Sequence, residues 1–268
     1  MDNINVIQAI ILGIVEGLTE FLPISSTGHL ILANEFMNIS GEKAKLFDVF
    51  IQLGAILAIV YNYREKILSI IQKLPSDKKT QNFALSIFIA FIPAAVVGLL
   101  THKLIKEFLF GPVTVAIALI AGGLLILIIE RQQHSNKISE MDNIALKVAL
   151  FVGLAQVLSL FPGVSRSAAT IMGGLLAGMT RKASTEFSFF LAIPTMFAAT
   201  LFDLTKSISI LEMSDFLILA IGLITAFISA LWVIRWFIKF VSTNNFRPFA
   251  HYRIIFGLIF LVFFLMSK

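Results

Sequence analysis

A set of long apolar runs, two of them broken in the middle by polar residues, constrains this chain more than any other feature. Six runs are unbroken, at roughly residues 47–61, 83–101, 113–130, 186–202, 215–238 and 251–267. A helix crosses a bilayer with about 20 apolar residues, or about 17 at the short end. Each run therefore reads as a span, the first a short one. Two more regions, roughly 5–38 and 146–178, are long enough to cross but break at Phe21-Leu22-Pro23-Ile24-Ser25-Ser26-Thr27-Gly28 and at Phe161-Pro162-Gly163-Val164-Ser165-Arg166-Ser167. Proline removes a helix hydrogen bond and glycine weakens the helix, so each region reads as two half-helices around an irregular turn. Only 14% of residues are charged and 58% are hydrophobic, where a soluble domain carries about 25% charged residues. Lipid is the solvent that suits such a chain. The expected fold class is an all-α membrane protein, with residues 1–268 forming a single integral membrane domain.

Positive charge decides whether the broken regions cross. If both cross, the 20 Lys and Arg residues other than Arg166 split ten to ten between the two sides. If both dip in and return, loops 62–82, 130–147, 180–186 and the stretch 235–253 share one side with 14 Lys and Arg, Arg253 among them. The other side then holds six: Lys43, Lys45, Lys103, Lys106, Lys206 and Lys268. Cytoplasmic loops carry the excess of basic residues, which favours six transmembrane helices plus two re-entrant helical hairpins, with both termini outside. The N-terminal run is not expected to be a cleavable signal, because Glu16 and Glu20 interrupt it and no basic residue precedes it. The net charge of +5 sits in short loops, so nucleic acid is not expected as a partner.

The two broken regions align without a gap at an offset of 140 residues: Gly13 falls on Gly153, Glu16 on Gln156, Phe21 on Phe161, Ser25 on Ser165 and Thr27 on Ser167. Three spans follow each. Residues 1–130 and 146–268 thus read as two copies entering from opposite sides, an inverted-topology repeat whose broken helices frame a site near the midplane. Irregular backbone at membrane depth cannot face lipid, so the two turns are expected to face each other.

The residue types at the turns suggest chemistry. Glu16 and Glu20, four apart, share one helical face; in an apolar run they read as a metal-ligand pair or as proton acceptors beside a ligand. Ser25, Ser26, Thr27 and His29 cluster at a helix start, where free N–H groups bind anions and an imidazole can move protons. Arg166 offers a fork that matches phosphate oxygens. Ser165, Ser167 and Thr170 add hydroxyls, and Gly163 permits a close backbone approach. Carboxylates beside an anion site need a divalent cation or protons to balance them. The set suits phosphoryl transfer on a diphosphate whose tail lies in lipid.

At these residues the sequence resembles the bacitracin-resistance type of undecaprenyl-diphosphate phosphatase. The segments Glu16 to His29 and Pro162 to Thr170 both match that family's long motifs without departure. The resemblance implies hydrolysis of undecaprenyl diphosphate to undecaprenyl phosphate and phosphate, recycling of a cell-wall lipid carrier, and bacitracin resistance. It implies a bacterial plasma-membrane location, a site open to the extracytoplasmic side, and dependence on Mg2+ or Ca2+. Glu20, Ser26, His29 and Arg166 are the catalytic candidates. Ser25, Thr27, Gly163, Ser165, Arg166, Ser167 and Thr170 are substrate-binding candidates, and Glu16 with Glu20 the metal candidates. Ser26 is the expected nucleophile, activated by a His29–Glu20 pair; His29 itself or a water is the rival. A phosphatidic-acid-phosphatase type of site would need a His six residues after Arg166, where Met172 stands. An inverted-repeat transporter or lipid flippase is the alternative function. The expected partners are a prenyl diphosphate and membrane lipids, with a second copy of the chain left open.

Overall fold

In the computed structural model, residues 4–109, 111–132, 137–207 and 210–266 are described. His134 and Lys268 lie outside them. The described residues form eleven α-helices: α1 (Val6–Thr19), α2 (Ser26–Phe36), α3 (Glu42–Asn62), α4 (Arg64–Lys73), α5 (Lys78–Phe108), α6 (Pro112–Arg131), α7 (Leu146–Val157), α8 (Arg166–Leu176), α9 (Arg181–Ser207), α10 (Asp215–Val241) and α11 (Arg247–Met266). A 3-10 turn, Leu158–Leu160, follows α7.

Among the described residues, six helices are long and apolar enough to cross a membrane: α3, α5, α6, α9, α10 and α11. The first is 21 residues long, longer than the apolar run 47–61, because Glu42, Lys43 and Lys45 extend it as a polar first turn. Large apolar side chains such as Leu99, Leu100, Ile255 and Ile259 point outward and are well exposed. A soluble protein could not keep so many in water, whereas lipid accepts them. Trp232, Trp236 and Tyr61 are also exposed, as an interfacial belt requires. Tyr63, two residues after Tyr61, instead packs edge-on against Phe190, with ring centroids 5.0 Å apart.

The pattern of residues 62–82 indicates only a polar loop, yet it contains the short helix α4. The apolar residues Ile67 and Ile70 of this helix pack against the cluster around Phe83, Phe187 and Phe190.

Both apolar regions do break where the sequence indicates, and the halves pack on each other, α1 on α2 and α7 on α8. The largest contacts run elsewhere: α1 lies along α10, α7 along α5, α3 along both α9 and α10, and α6 along α11. Small residues make these approaches possible, as in other lipid-solvated bundles. A methyl group on Gly13 would come 2.6 Å from the Gly222 carbonyl, and one on Gly17 would come 2.7 Å from the Ala230 nitrogen. On α7, a methyl on Gly153 would come 2.5 Å from the Ala90 carbonyl of α5.

Candidate active site

The two turns meet at Glu20. This residue caps the C-terminal end of α1 and donates its own N–H to the Glu16 carbonyl at 2.9 Å. A carboxylate is disfavoured at that end of a helix, where the macrodipole is negative, so it needs partners. It has two. Ser26, the first residue of α2, donates its hydroxyl to Glu20 Oε2 at 2.5 Å. Arg166, the first residue of α8, donates from Nη2 to Glu20 Oε1 at 2.8 Å. The Glu20 and Arg166 side chains are each 10% exposed, so the pair is shielded but reachable.

Arg166 also donates to the Ser188 carbonyl at 3.3 Å and lies 2.9 Å from Met196 Sδ. Its guanidinium carbon sits 5.7 Å above the Phe21 ring, within cation–π range. Phe21 is itself fixed by an edge contact with Phe189 at 5.3 Å. Among the described residues, Arg166 Nε has no hydrogen-bond partner although buried, which leaves its N–H uncommitted.

Each half-helix after a turn begins at a serine in an uncommon backbone conformation. Ser25 has φ 71° and ψ 94°, and Ser165 has φ 75° and ψ 121°. Such positive φ costs a non-glycine residue about 1–3 kcal/mol. The neighbours that hold the two differ. Ser165 Oγ accepts from the Ala168 N–H at 3.2 Å and shares a 2.9 Å bond with Ser167 Oγ, which in turn donates to the Leu22 carbonyl at 2.7 Å. The single Ser167 proton goes to that carbonyl, so Ser165 is the donor in the serine pair. This chain of hydroxyls stitches the second turn to the first.

His29 is placed differently from the sequence expectation of a His29–Glu20 pair. Its Nδ1 lies 2.7 Å from the Ser25 carbonyl, which can only accept, so Nδ1 carries the proton. Its Nε2 lies 2.7 Å from the Tyr252 hydroxyl of α11. The ring stacks on Phe256 at 4.2 Å. Glu20 is thus bonded to Ser26 directly, with no imidazole between.

Thr170 is 1% exposed. Its hydroxyl bonds the Arg166 carbonyl at 2.9 Å and Ser188 Oγ at 2.6 Å, tying α8 to α9. Thr27 is half-buried on the first turn of α2. Gly163, at φ 93°, makes its close approach to α6: a methyl there would come 2.7 Å from the Val115 carbonyl.

Glu16 is fully buried, and among the described residues neither of its carboxylate oxygens has a hydrogen-bond partner. Gln156, aligned with it in the second half, is equally buried but neutral, and it donates to the Ala90 carbonyl at 3.4 Å. Two bare carboxylate oxygens one turn from Glu20 are suited to a hard cation. Mg2+ commonly takes only one or two carboxylates and completes its shell with waters and substrate phosphates. Glu20, expected as the second ligand, already has both oxygens on Ser26 and Arg166. Among the described residues no three His, Cys, Asp or Glu side chains converge to form a metal cage.

Two further residues belong to this region and were missed in the sequence. Tyr252 is the partner of His29. Arg253, counted above as a cytoplasmic loop charge, is fully buried. It donates to Pro23, Gly163 and Val164 of the two turns and to Ala118 and Leu119 of α6, at 2.9–3.3 Å. Without it the basic excess on that side is thirteen to six, so the direction of the bias stands. The available signal was its position two residues inside an apolar run.

The chain matches the family described as Bacitracin resistance protein BacA over residues 9–259. It is 55% identical to an undecaprenyl-diphosphatase of Nitrosomonas europaea over 262 residues, covering 98% of this chain and 96% of the relative. It is 54% identical to an undecaprenyl-diphosphatase of Thermoanaerobacter pseudethanolicus over 254 residues, 94% of each chain. With one of Dechloromonas aromatica it shares 50% identity over 259 residues, 97% of this chain and 94% of the relative. A match over nearly the whole length, with both motif segments inside it, establishes the kinship: the chain belongs to the BacA family of bacitracin resistance proteins.

Proposed function

We propose that this multi-pass bacterial membrane protein is an undecaprenyl-diphosphatase, which hydrolyses undecaprenyl diphosphate to undecaprenyl phosphate and phosphate and so confers bacitracin resistance. The observation that carries the mechanism is the line Ser26–Glu20–Arg166, in which a hydroxyl and a guanidinium share one carboxylate, the base. As Ser26 Oγ attacks the terminal phosphorus, its proton passes to Glu20 Oε2, its acceptor at 2.5 Å. The bond from that phosphorus to the bridging oxygen breaks and undecaprenyl phosphate leaves. Water then attacks the phosphoserine, releasing phosphate and restoring the hydroxyl. Arg166 and the N-terminal ends of α2 and α8 stabilise the charge on the transferring group. His29 holds the strained Ser25 carbonyl, and its Nε2 is engaged by Tyr252, which argues against it as the nucleophile.

Glu16, whose two oxygens are unpartnered among the described residues, would hold Mg2+ or Ca2+ beside the diphosphate, with Glu20 assisting only through the lone pairs that Ser26 and Arg166 leave on its oxygens. A bound cation there would neutralise phosphate charge.

The hairpins α1–α2 and α7–α8 are proposed to be re-entrant, and the halves to be an inverted repeat. At the offset of 140 residues α2 superimposes on the bounds of α8, Ser25 on Ser165 in the same unusual conformation. The packing also exchanges between halves: α1 on α10 answers α7 on α5, and α3 on α10 answers α9 on α5. The extracytoplasmic opening follows from the family resemblance. The chain has no cysteine, so single cysteines at Lys45 and Lys78 would report orientation. Labelling of position 45 from outside and of position 78 from the cytoplasm is expected, and the reverse would overturn it.

The test of function is phosphate release from undecaprenyl diphosphate by the purified protein in detergent, with Mg2+ or Ca2+ supplied. No release would favour a lipid carrier instead. Ser26→Ala should lose activity and fail to trap a phosphoprotein; an active Ser26→Ala would transfer the nucleophile's role to water or His29.

A further inference from the structure

Arg253 has five N–H groups, and all five are used. Nε donates to Leu119 O at 3.3 Å; Nη1 to Pro23 O at 3.2 Å and Val164 O at 2.9 Å; Nη2 to Ala118 O at 3.2 Å and Gly163 O at 2.9 Å. No carboxylate is among these partners. Three of the carbonyls belong to the segments where the half-helices stop. A broken helix leaves carbonyl groups without intrahelical donors, and at membrane depth water cannot be relied on to satisfy them. A fully buried guanidinium is costly unless its donors are all matched, and these carbonyls match it. One side chain therefore meets the needs of both turns at once.

The position of this side chain has consequences for catalysis. Pro23 lies three residues before Ser26, and Val164 lies two before Arg166. The nucleophile and the phosphate clamp come from different halves of the chain, and Arg253 joins the backbone just ahead of each. We infer that Arg253 is a positioning residue for the phosphatase reaction: it holds the two turns in register on α6, so that Ser26 and Arg166 arrive at Glu20 together. The inference rests on the phosphatase reading of the same site. Gly122 is the matching device on α6, since a methyl there would lie 2.8 Å from the Arg253 guanidinium carbon. The guanidinium is held on five sides and has no room to withdraw.

Two variants test this, purified in detergent beside the unaltered chain. Arg253→Lys keeps the charge but offers three donors to five carbonyls. Gly122→Ala keeps the arginine and pushes it aside, although alanine is otherwise the better helix former. The inference expects kcat to fall by about 100-fold, the scale of a 1 Å misplacement of reacting groups, with KM little changed. Hydrogen exchange should quicken at residues 22–26 and 161–165 while α10 keeps its protection. Should Arg253→Lys fail to fold, Gly122→Ala carries the test.

Unchanged kcat in a folded Arg253→Lys overturns the inference. So does loss of protection throughout the chain, or loss of the folded protein in both variants, since Arg253 would then serve stability alone. If the unaltered chain releases no phosphate, the phosphatase reading fails, and the exchange pattern alone judges whether Arg253 clamps the turns.

Discussion

Replacing Glu20 with glutamine removes the proposed base while preserving shape. The carboxylate serves two donors, Ser26 Oγ at 2.5 Å and Arg166 Nη2 at 2.8 Å. An amide cannot serve both. If its oxygen turns to Arg166, its NH2 group meets Ser26 as a donor, and the serine loses the acceptor for its proton. If it turns the other way, two donors collide at a charged guanidinium, which is the costlier arrangement. The first orientation should win. A general base contributes about 10²–10⁴-fold, so the barrier to phosphorylation of Ser26 should rise by about 2.7–5.4 kcal/mol. Stability should suffer less, since Arg166 exchanges a charged acceptor for a neutral one at about 1–2 kcal/mol. Single-turnover phosphate release in detergent reads the first quantity, and thermal unfolding reads the second. A folded Glu20→Gln protein with a rate close to that of the unaltered chain would refute Glu20 as the base.

Thr170→Val should cost about 1–2 kcal/mol of stability, from the buried bond to Ser188, and leave KM unchanged; a sharp rise in KM in the phosphate-release assay would return Thr170 to direct substrate contact. Asp77 caps α5 outside the membrane, and the Thr80 hydroxyl and N–H, at 2.6 and 2.8 Å, hold its carboxyl below the usual carboxylate range. A depressed folded value means that this cap stabilises above the unfolded value of about 3.9 and is lost as the pH falls through the folded value. Asp77→Asn should therefore be less stable than the parent near neutrality, and the gap should close in acid; a gap independent of pH in thermal unfolding would refute the charge argument.

The breaks were legible in the sequence because Pro23, Pro162 and Gly163 violate helical periodicity in plain view, and a hydroxyl cluster inside an apolar run costs too much in lipid to lack a polar partner. The six spans were legible for the same reason of pattern, apart from charged ends such as those of α3. Partners brought together by packing were not. Tyr252 reaches His29 from 223 positions away, and no local pattern couples them. Arg253 lies near the start of an apolar run, where an interfacial cation looks identical to a buried one; only its carbonyl partners distinguish them. Thr170 has the look of a ligand in sequence because hydroxyls near an arginine usually are candidates, and no local pattern announces its bond to Ser188 of α9. The direct Ser26–Glu20 bond was similarly hidden, since it depends on how sharply residues 21–25 reverse.

The packing of α1 along α10 has a consequence for how the protein is made. The partner of α1 begins about 200 residues after α1 ends, so at synthesis rates of about 5–20 residues per second it is missing for about 10–40 s. Throughout that interval α1, with Glu16 and Glu20 on one face, has no α10 to cover it. Helix α7, in contrast, emerges when its own partner α5 is already in place. The two hairpins, alike when finished, must therefore differ in their history: one docks on arrival, and the other waits for the chain to be nearly complete.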